Sequence, residues 1–215
     1  MKMKEVEFAN PQDVYDYFLD LNNKIPGRHE NKHNERKVKK EIYCLEKTLV
    51  TFAQNDMLKF PIKVYQSESP DFIIQYPNAV RGLEVTEATN EEYQLWLANV
   101  CGKKGVYTFN EVGYFDLEPE KELSDFILER ISKKESLLPK YHELHPEIKN
   151  CDLVIRQFMD CLIDNNELIS ILEEKFKDES KLPFRSISIV SGDELIYIKK
   201  IDKIKKFKIP NLSDA

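Results

Sequence analysis

The sequence predicts a mixed α/β fold, because segments with helical periodicity alternate with short strand-like runs along the chain. Apolar residues recur at helical spacing at about 11–22, 35–56, 90–100, 121–140 and 164–177. Runs typical of strands fall at about 61–66, 71–76, 82–87, 151–158, 184–190 and 194–199. From residue 35 onward the expected order is therefore a helix, three strands, helices, one strand, a helix and a hairpin.

The helix expected at 35–56 has an apolar stripe along one face. The stripe residues are spaced three or four apart, at Val38, Ile42, Leu45, Leu49 and Phe52. Glu41 and Glu46 lie on the two flanks of the stripe, so either carboxylate could reach a site beside it. Flanking glutamates also commonly do no more than solvate an amphipathic helix, so both roles stay open for both residues.

Two acids lie on the neighbouring strands expected in SPDFIIQY and RGLEVTEA. Asp71 follows Pro70 at the entrance of the first strand, and Glu84 stands between two apolar residues in the second. Gly82 and Thr86 share the face of Glu84, and such small residues are expected to leave room beside its carboxylate. Buried carboxylates are costly without partners, so this pair indicates a cation, and oxygen ligands suit Mg²⁺ or Mn²⁺. In the alternative interpretation, Asp71 caps the preceding turn and Glu84 faces solvent.

The two ends of the chain are expected to extend this core. The segment PQDVYDYFLDLN predicts an N-terminal helix, and we expect residues 1–34 to form that helix and a basic loop. Residues 35–215 are expected to form a single domain with a helical insertion at about 88–120. The turn sequence SGDE separates the apolar runs SISIV and LIYIK, which predicts the C-terminal hairpin.

Composition is typical of a globular chain with one sizeable core, since 41% of the 215 residues are hydrophobic. No apolar run is long enough to span a membrane, and the N-terminus lacks a signal peptide's apolar stretch. We therefore expect a cytoplasmic location and no membrane partner. The four cysteines have no CxxC spacing and are expected to be reduced core residues. The six glycines form no phosphate-binding loop, so no nucleotide cofactor is expected.

Two basic segments stand out against a formal net charge of −6. Residues 24–40 contain seven Lys or Arg against two Glu, and residues 199–208 contain six Lys against one Asp. Clustered cations of this kind can neutralise nucleic-acid phosphates, or can simply form a solvated face. In the first case, Arg28, Lys32 and Arg36 are the expected contacts to nucleic acid.

The succession of these elements resembles the PD-(D/E)XK nuclease superfamily, whose members share a restriction-endonuclease-like αβββαβ core. The resemblance covers about residues 36–158 and rests on the helix with KKE, the SPDF strand entrance, the GLEVTEA strand, a Lys-bearing helix and the strand CDLVIRQF. It implies a mixed sheet flanked by helices and a site for Mg²⁺ or Mn²⁺. Asp71 and Glu84 would be the metal acids, Val85 would lend its backbone carbonyl, and Glu41 would be the helix acid.

The sequence departs from this family at the position of the usual catalytic lysine, which is Thr86 here. Some branches resemble this one, with E-[IV]-T-E on the strand and a lysine on the following helix. Lys134 is the candidate, because Ile127, Ile131, Lys134 and Leu138 follow one another at spacings of four, three and four. Its ammonium could act at the site, with Thr86 orienting a water, or its stem could pack on the core while the head reaches solvent.

The resemblance implies metal-dependent hydrolysis of phosphodiesters in nucleic acid, with DNA expected rather than RNA. One alternative is a degenerate relative that binds nucleic acid or protein without cutting. Another is a structural protein in which the acids are incidental. The sequence leaves a homodimer open.

Overall fold

The computed structural model describes residues 3–24, 33–89, 118–157, 162–177, 182–199 and 204–212, without the side chains of 33–36. Within these residues, the fold is one mixed eight-stranded sheet with helices on both faces. The strands are β1 (Val6–Phe8), β2 (Ile62–Gln66), β3 (Phe72–Tyr76), β4 (Ala79–Ala88), β5 (Ile148–Gln157), β6 (Ser186–Ser191), β7 (Glu194–Lys199) and β8 (Lys205–Lys208). The helices are α1 (Pro11–Lys24), α2 (His33–Gln54), α3 (Pro119–Glu135), α4 (Leu138–Leu144) and α5 (Asn165–Lys175).

The strands lie in the sheet in the order of the sequence, from β1 at one edge to β8 at the other. The pairs β4–β5 and β5–β6 are parallel, and the other neighbouring pairs are antiparallel. Parallel neighbours need a long crossover, which helices α3 and α4 provide between β4 and β5, and α5 provides between β5 and β6. The centre of the sheet is therefore parallel, and both flanks are meanders.

Two apolar cores cover the two faces of the sheet. Helices α1 and α2 pack on one face, with Val14, Phe18 and Leu45 among the buried residues. Helices α3, α4 and α5 pack on the other, with Leu123 and Leu168 among the buried residues. Because central strands are covered on both sides, they read as nearly continuous apolar runs rather than as an alternating pattern.

The alternation of side chains along β4 decides what its residues can reach. Leu83 and Val85 belong to the core under α1 and α2, whereas Ala88 belongs to the core under α3, α4 and α5. Successive strand residues point to opposite faces, so Glu84 and Thr86 face the second group of helices. Glu84 therefore faces the side on which α3 carries Lys134.

Most expected elements are present, with specific differences. The single helix expected at 121–140 is two helices, because Pro139 occupies the first turn of α4 and begins a new helix there. The short edge strands β1 and β8 were not expected, and the C-terminal hairpin is accordingly the β6–β7 part of a three-stranded meander. The helix expected at 90–100 and most of the insertion expected at 88–120 lie outside the described residues.

The N-terminal segment contributes to the same sheet. Strand β1 pairs with β2, with Val6 opposite Val64, and Phe8 is buried in the core with α1 and α2. The division expected near residue 34 stays a prediction. No helix in the described part of the chain combines the length and the apolar character that crossing a bilayer requires.

Candidate active site

Asp71 and Glu84 lie side by side where β3 begins and β4 passes it. Phe72 pairs with Leu83 in the antiparallel β3–β4 ladder, so the residues one step outward, Asp71 and Glu84, are neighbours. Both are buried, with 7% of Asp71 and 4% of Glu84 exposed. The alternative in which Glu84 faces solvent is therefore wrong.

Backbone hydrogen bonds hold both carboxylates in place. The Asp71 N–H donates to Glu84 Oε2 at 3.3 Å, and the Val85 N–H donates to Asp71 Oδ2 at 2.8 Å. The Asp71 carbonyl accepts from the Ser67 N–H at 2.8 Å. The N–H and the carbonyl of one strand residue point toward the same neighbouring strand, so we expect the Val85 carbonyl to point toward Asp71 as well.

Lys134 reaches this pair from α3. Its ammonium donates to Glu84 Oε1 in a close ion pair, and 24% of the side chain is exposed. Ile127 and Ile131, which precede it on the same stripe, are buried. The lysine thus lies at the edge of the core with its charged head on a buried carboxylate, and its catalytic role stays a prediction.

The site contains more negative than positive charge. The pKa of Asp71 is raised to about 7, mainly by burial, then by the neighbouring carboxylate of Glu84 and, to a smaller extent, by that of Glu41. The Val85 N–H and the Lys134 ammonium act in the opposite direction but do not offset these effects. A second cation beside Asp71 would therefore be stabilised.

Tyr141 is part of this site, and the sequence did not reveal it. The residue belongs to α4 and is 1% exposed, and its hydroxyl lies beside the Glu84 carboxylate without a hydrogen bond of standard geometry within the described residues. Burial raises the pKa of Tyr141, and the nearby Glu84 and Asp71 raise it further. The only sequence signal was its position seven residues after Lys134, and Pro139 interrupts the helical spacing between them.

The structure separates the two candidate helix acids. Glu41 is buried near Asp71, where it accepts from Gln66 Nε2 at 3.3 Å and lies 3.5 Å from the Lys37 ammonium. Glu46 faces α1 instead, where it accepts from Asn22 Nδ2 at 3.2 Å. Of the two, only Glu41 therefore belongs to the surroundings of Asp71.

Thr86 is half-buried on the face that it shares with Glu84. The space expected beside that carboxylate at Gly82 is filled. A Cβ atom at residue 82 would lie 2.7 Å from both Cys151 Sγ and Pro70 Cγ. The glycine thus allows close packing of β3, β4 and β5 rather than leaving an opening, and the expectation of room at this position was wrong.

The expected nucleic-acid contacts lie mostly beyond the described structure. Arg28 and Lys32 fall outside the described residues, and of Arg36 only the backbone, within α2, is described. The second basic segment is described in part, because Lys205, Lys206 and Lys208 belong to β8.

The acid that follows Glu84 on β4 provides a contrast. Glu87 lies on the opposite face, where it binds the Lys40 ammonium at 2.5 Å and Arg156 Nη1 at 3.3 Å. Two cations therefore neutralise Glu87, whereas Asp71 and Glu84 share Lys134 alone among the residues that the structure describes. Of the three acids, the Asp71–Glu84 pair is the one that would gain from a metal ion.

The donor set fits a hard divalent cation. Asp71, Glu84 and the expected Val85 carbonyl supply oxygen ligands, and the raised pKa of Asp71 indicates that this buried carboxylate lacks a full counter-charge. Within the described residues, no group of three or more His, Cys, Asp or Glu side chains forms a ready-made metal site. Two carboxylates with backbone and water oxygens suffice for Mg²⁺, which usually keeps several waters.

No family model, curated protein or solved structure matches this chain.

Proposed function

We propose that this chain is a divalent-metal-dependent nuclease of the PD-(D/E)XK type that hydrolyses phosphodiester bonds, in DNA rather than RNA. The observation that carries the proposal is the buried Asp71–Glu84 pair with the Lys134 ammonium beside it. Two fixed carboxylates and one lysine from a neighbouring helix are the groups that metal-assisted phosphoryl transfer requires.

The order of elements supports this assignment. Helix α2, strands β2, β3 and β4, helix α3, the short helix α4 and strand β5 follow one another on the chain, which, apart from α4, is the αβββαβ order of the restriction-endonuclease-like core. The acids lie toward the carboxyl end of the parallel strand β4. Open α/β sheets usually bind ligands at the carboxyl ends of their strands. The position of the site thus agrees with the chemistry of its residues.

Each residue has a defined task in the proposed reaction. Asp71, Glu84 and the Val85 carbonyl would hold Mg²⁺ or Mn²⁺, which supplies Lewis acidity and lowers the pKa of bound water. The Lys134 ammonium offsets negative charge that develops on the phosphate, and the Tyr141 hydroxyl can donate to the same charge. Thr86 can orient a water by a hydrogen bond but cannot supply a charge. Glu41 adds negative charge near Asp71 and so favours the cation.

The basic segments suggest how the substrate would be bound. Arg28, Lys32 and Arg36 precede the site on the chain, and the lysines of β8 add further cations. Phosphate contacts of this kind are not sequence-specific and weaken steeply with salt. We therefore expect binding of nucleic acid in general, with discrimination left to the active site.

A cleavage assay on Glu84→Gln tests the proposal. Wild-type protein should nick plasmid DNA in the presence of Mg²⁺ or Mn²⁺. Addition of EDTA should stop this cleavage. Glu84→Gln should lose this activity by at least about 100-fold, because an amide is a poor ligand for a hard cation. Glu143→Gln, which changes an exposed glutamate on α4, is the matched control and should cut normally. Normal cleavage by Glu84→Gln would refute the assignment of Glu84 as a metal ligand of a nuclease. Faster cleavage of RNA than of DNA would show that RNA is the preferred substrate.

A non-cutting relative is the second candidate, and one observation favours it. Lys134 is bound directly to a Glu84 oxygen, and Thr86 replaces the usual lysine. If that ion pair takes the place of the metal, Glu84 already has its counter-charge and the site has no Lewis acid. Titration calorimetry with Mn²⁺ separates the two candidates: binding that Glu84→Gln abolishes supports the nuclease, and no binding at millimolar Mn²⁺ supports the relative that binds without cutting.

A further inference from the structure

A separate cavity opens at the end of the strands that lies opposite Asp71 and Glu84. It has a volume of about 570 Å³ and lies near the β3–β4 turn, where Tyr76, Pro77 and Ala79 line it. Tyr76 is five strand residues from Asp71, which corresponds to about 16 Å along β3. The cavity is thus distinct from the proposed active site, and its volume is in the range of small-molecule sites.

The charge of the cavity is strongly one-sided. Five cationic residues line it, namely Lys59, Arg81, Arg185, Lys199 and Lys205, and none of its described lining residues is acidic. The charge of Arg185 is balanced by Asp152, whose carboxylate accepts hydrogen bonds from Arg185 Nε at 2.9 Å and from Nη2 at 2.8 Å. This bidentate pair fixes the guanidinium and leaves Nη1 outside it. The remaining excess of positive charge favours an anionic ligand.

The rest of the lining is largely aromatic. Phe52, Tyr76, Tyr197 and Phe207 contribute rings. Phe52 and Tyr197 meet edge to face at 5.4 Å between centroids, and Tyr197 lies 6.5 Å from Phe207. The Arg81 guanidinium lies 4.3 Å from the centroid of the Tyr76 ring. Rings and stacked guanidinium groups bind flat, conjugated ligands.

We propose that this basic–aromatic cavity binds a mononucleotide, with the phosphate at Arg81 and Lys205 and the base against the aromatic wall. A phosphate ion alone would leave most of the volume and all of the rings unused. A neutral aromatic compound would bring no negative charge to Arg81 and Lys205. The cavity has no glycine-rich loop, so phosphate recognition here depends on side chains brought together from α2, β3, β4, β6, β7 and β8 and their adjoining loops.

Titration calorimetry on the full chain tests this site. The probes are the four nucleoside 5′-monophosphates, the corresponding nucleosides and inorganic phosphate. At least one monophosphate should bind, and both its nucleoside and inorganic phosphate should bind at least about tenfold more weakly. A nucleoside or inorganic phosphate that binds as tightly as the best monophosphate would overturn the proposal, and so would an absence of binding at millimolar monophosphate.

Strand β8 offers a matched pair of variants. Lys205 lines the cavity, whereas Lys208 is exposed on the other face of the same strand. Lys205→Gln and Arg81→Gln should each weaken monophosphate binding about tenfold, and Lys208→Gln should leave it unchanged. Equal losses in all three variants would show only general charge attraction and would overturn the proposal. Thermal unfolding of each variant verifies that the fold is intact.

The proposed metal site and the proposed nucleotide cavity can be tested independently of each other. Glu84→Gln removes a proposed metal ligand but lies outside the cavity, so it should bind the monophosphate as wild type does. Loss of monophosphate binding in this variant would contradict the separation of the two sites. Conversely, Arg81→Gln should retain whatever Mn²⁺ binding the wild type shows.

Discussion

The Asp71 N–H donates to Glu84 Oε2, so the two acids are joined through the backbone of one and the carboxylate of the other. This bond fixes Glu84 without neutralising Asp71, whose own carboxylate is bound by the Val85 N–H. The backbone groups that hold the two buried carboxylates close together carry no net charge, and the Lys134 ammonium binds Glu84 rather than Asp71. Repulsion between them is retained in the folded protein, and a bound cation would relieve it.

Replacement of Asp71 by Asn should stabilise the metal-free protein at pH 8. An Asn side-chain oxygen can still accept from the Val85 N–H, and the variant has no charge to repel Glu84. The free energy of unfolding, measured with urea, should rise by about 1 kcal/mol or more. Asp125→Asn, at an exposed aspartate, is the control and should change the free energy of unfolding by less than about 0.5 kcal/mol. A destabilised Asp71→Asn would mean that the two acids do not repel each other.

The advantage of Asp71→Asn should disappear in acid. The pKa of Asp71 is about 7 in the folded protein against 3.8 for an ordinary aspartate. A raised folded-state pKa means that the native state binds the proton more tightly, so its cost is present above pH 7 and fades as the pH falls toward 4. The stability difference between wild type and Asp71→Asn should therefore shrink between pH 8 and pH 5. A stability difference that stays constant between pH 8 and pH 5 would mean that Asp71 does not titrate in this range.

Metal binding should release this proton. Below pH 7, Asp71 must lose its proton before it can act as a ligand. Affinity for Mn²⁺ should therefore rise about tenfold from pH 6 to pH 8, as expected for one linked proton with a pKa near 7. Calorimetry at pH 6 in two buffers of different ionisation enthalpy measures the number of protons released. A value near zero would exclude Asp71 as the titrating ligand.

The parts of this structure that follow local patterns were predicted from the sequence. The stripe of α2 predicted its buried face, and the SGDE turn predicted the β6–β7 hairpin, where Gly192 has a φ of 59° that favours glycine. Asp71 and Glu84 were found because each stands against an apolar background on its own strand. Such signals need only a few neighbouring residues.

The other parts depend on contacts that are distant in the sequence. Gln66 meets Glu41 across 25 residues, and Tyr141 joins Glu84 only through the packing of α4 on the sheet. The short strands β1 and β8 have three and four residues, which is too few for periodicity to show. The cavity is assembled from several separate segments. These features follow from the strand register rather than from any local pattern.

Lys134→Met should lower the cleavage rate by roughly 100-fold, the usual cost of one preorganised contact to the transition state. The methionine keeps the apolar stem on the core, so folding should change little. Lys133→Met is the control, because Lys133 is exposed and binds Glu129 at 2.5 Å. Single-turnover cleavage at saturating metal measures the effect on rate alone. Adding Thr86→Lys to Lys134→Met places a lysine where PD-(D/E)XK nucleases usually carry it and should recover part of the lost rate. An unchanged rate in Lys134→Met itself would remove Lys134 from the mechanism.

Tyr141→Phe distinguishes a role in the reaction from a role in packing. The substitution removes a hydroxyl that lies beside the Glu84 carboxylate but makes no hydrogen bond of standard geometry within the described residues, so the folded protein loses at most a weak contact. Stability should therefore be unchanged or slightly higher, since a buried unsatisfied group is costly. If the hydroxyl donates to the substrate phosphate or to a water at the metal, the single-turnover rate should fall about tenfold at unchanged substrate affinity. A loss of stability with an unchanged rate would make Tyr141 a structural residue of α4, and the hydrogen-bond donors of the site would then reduce to Lys134 and Thr86.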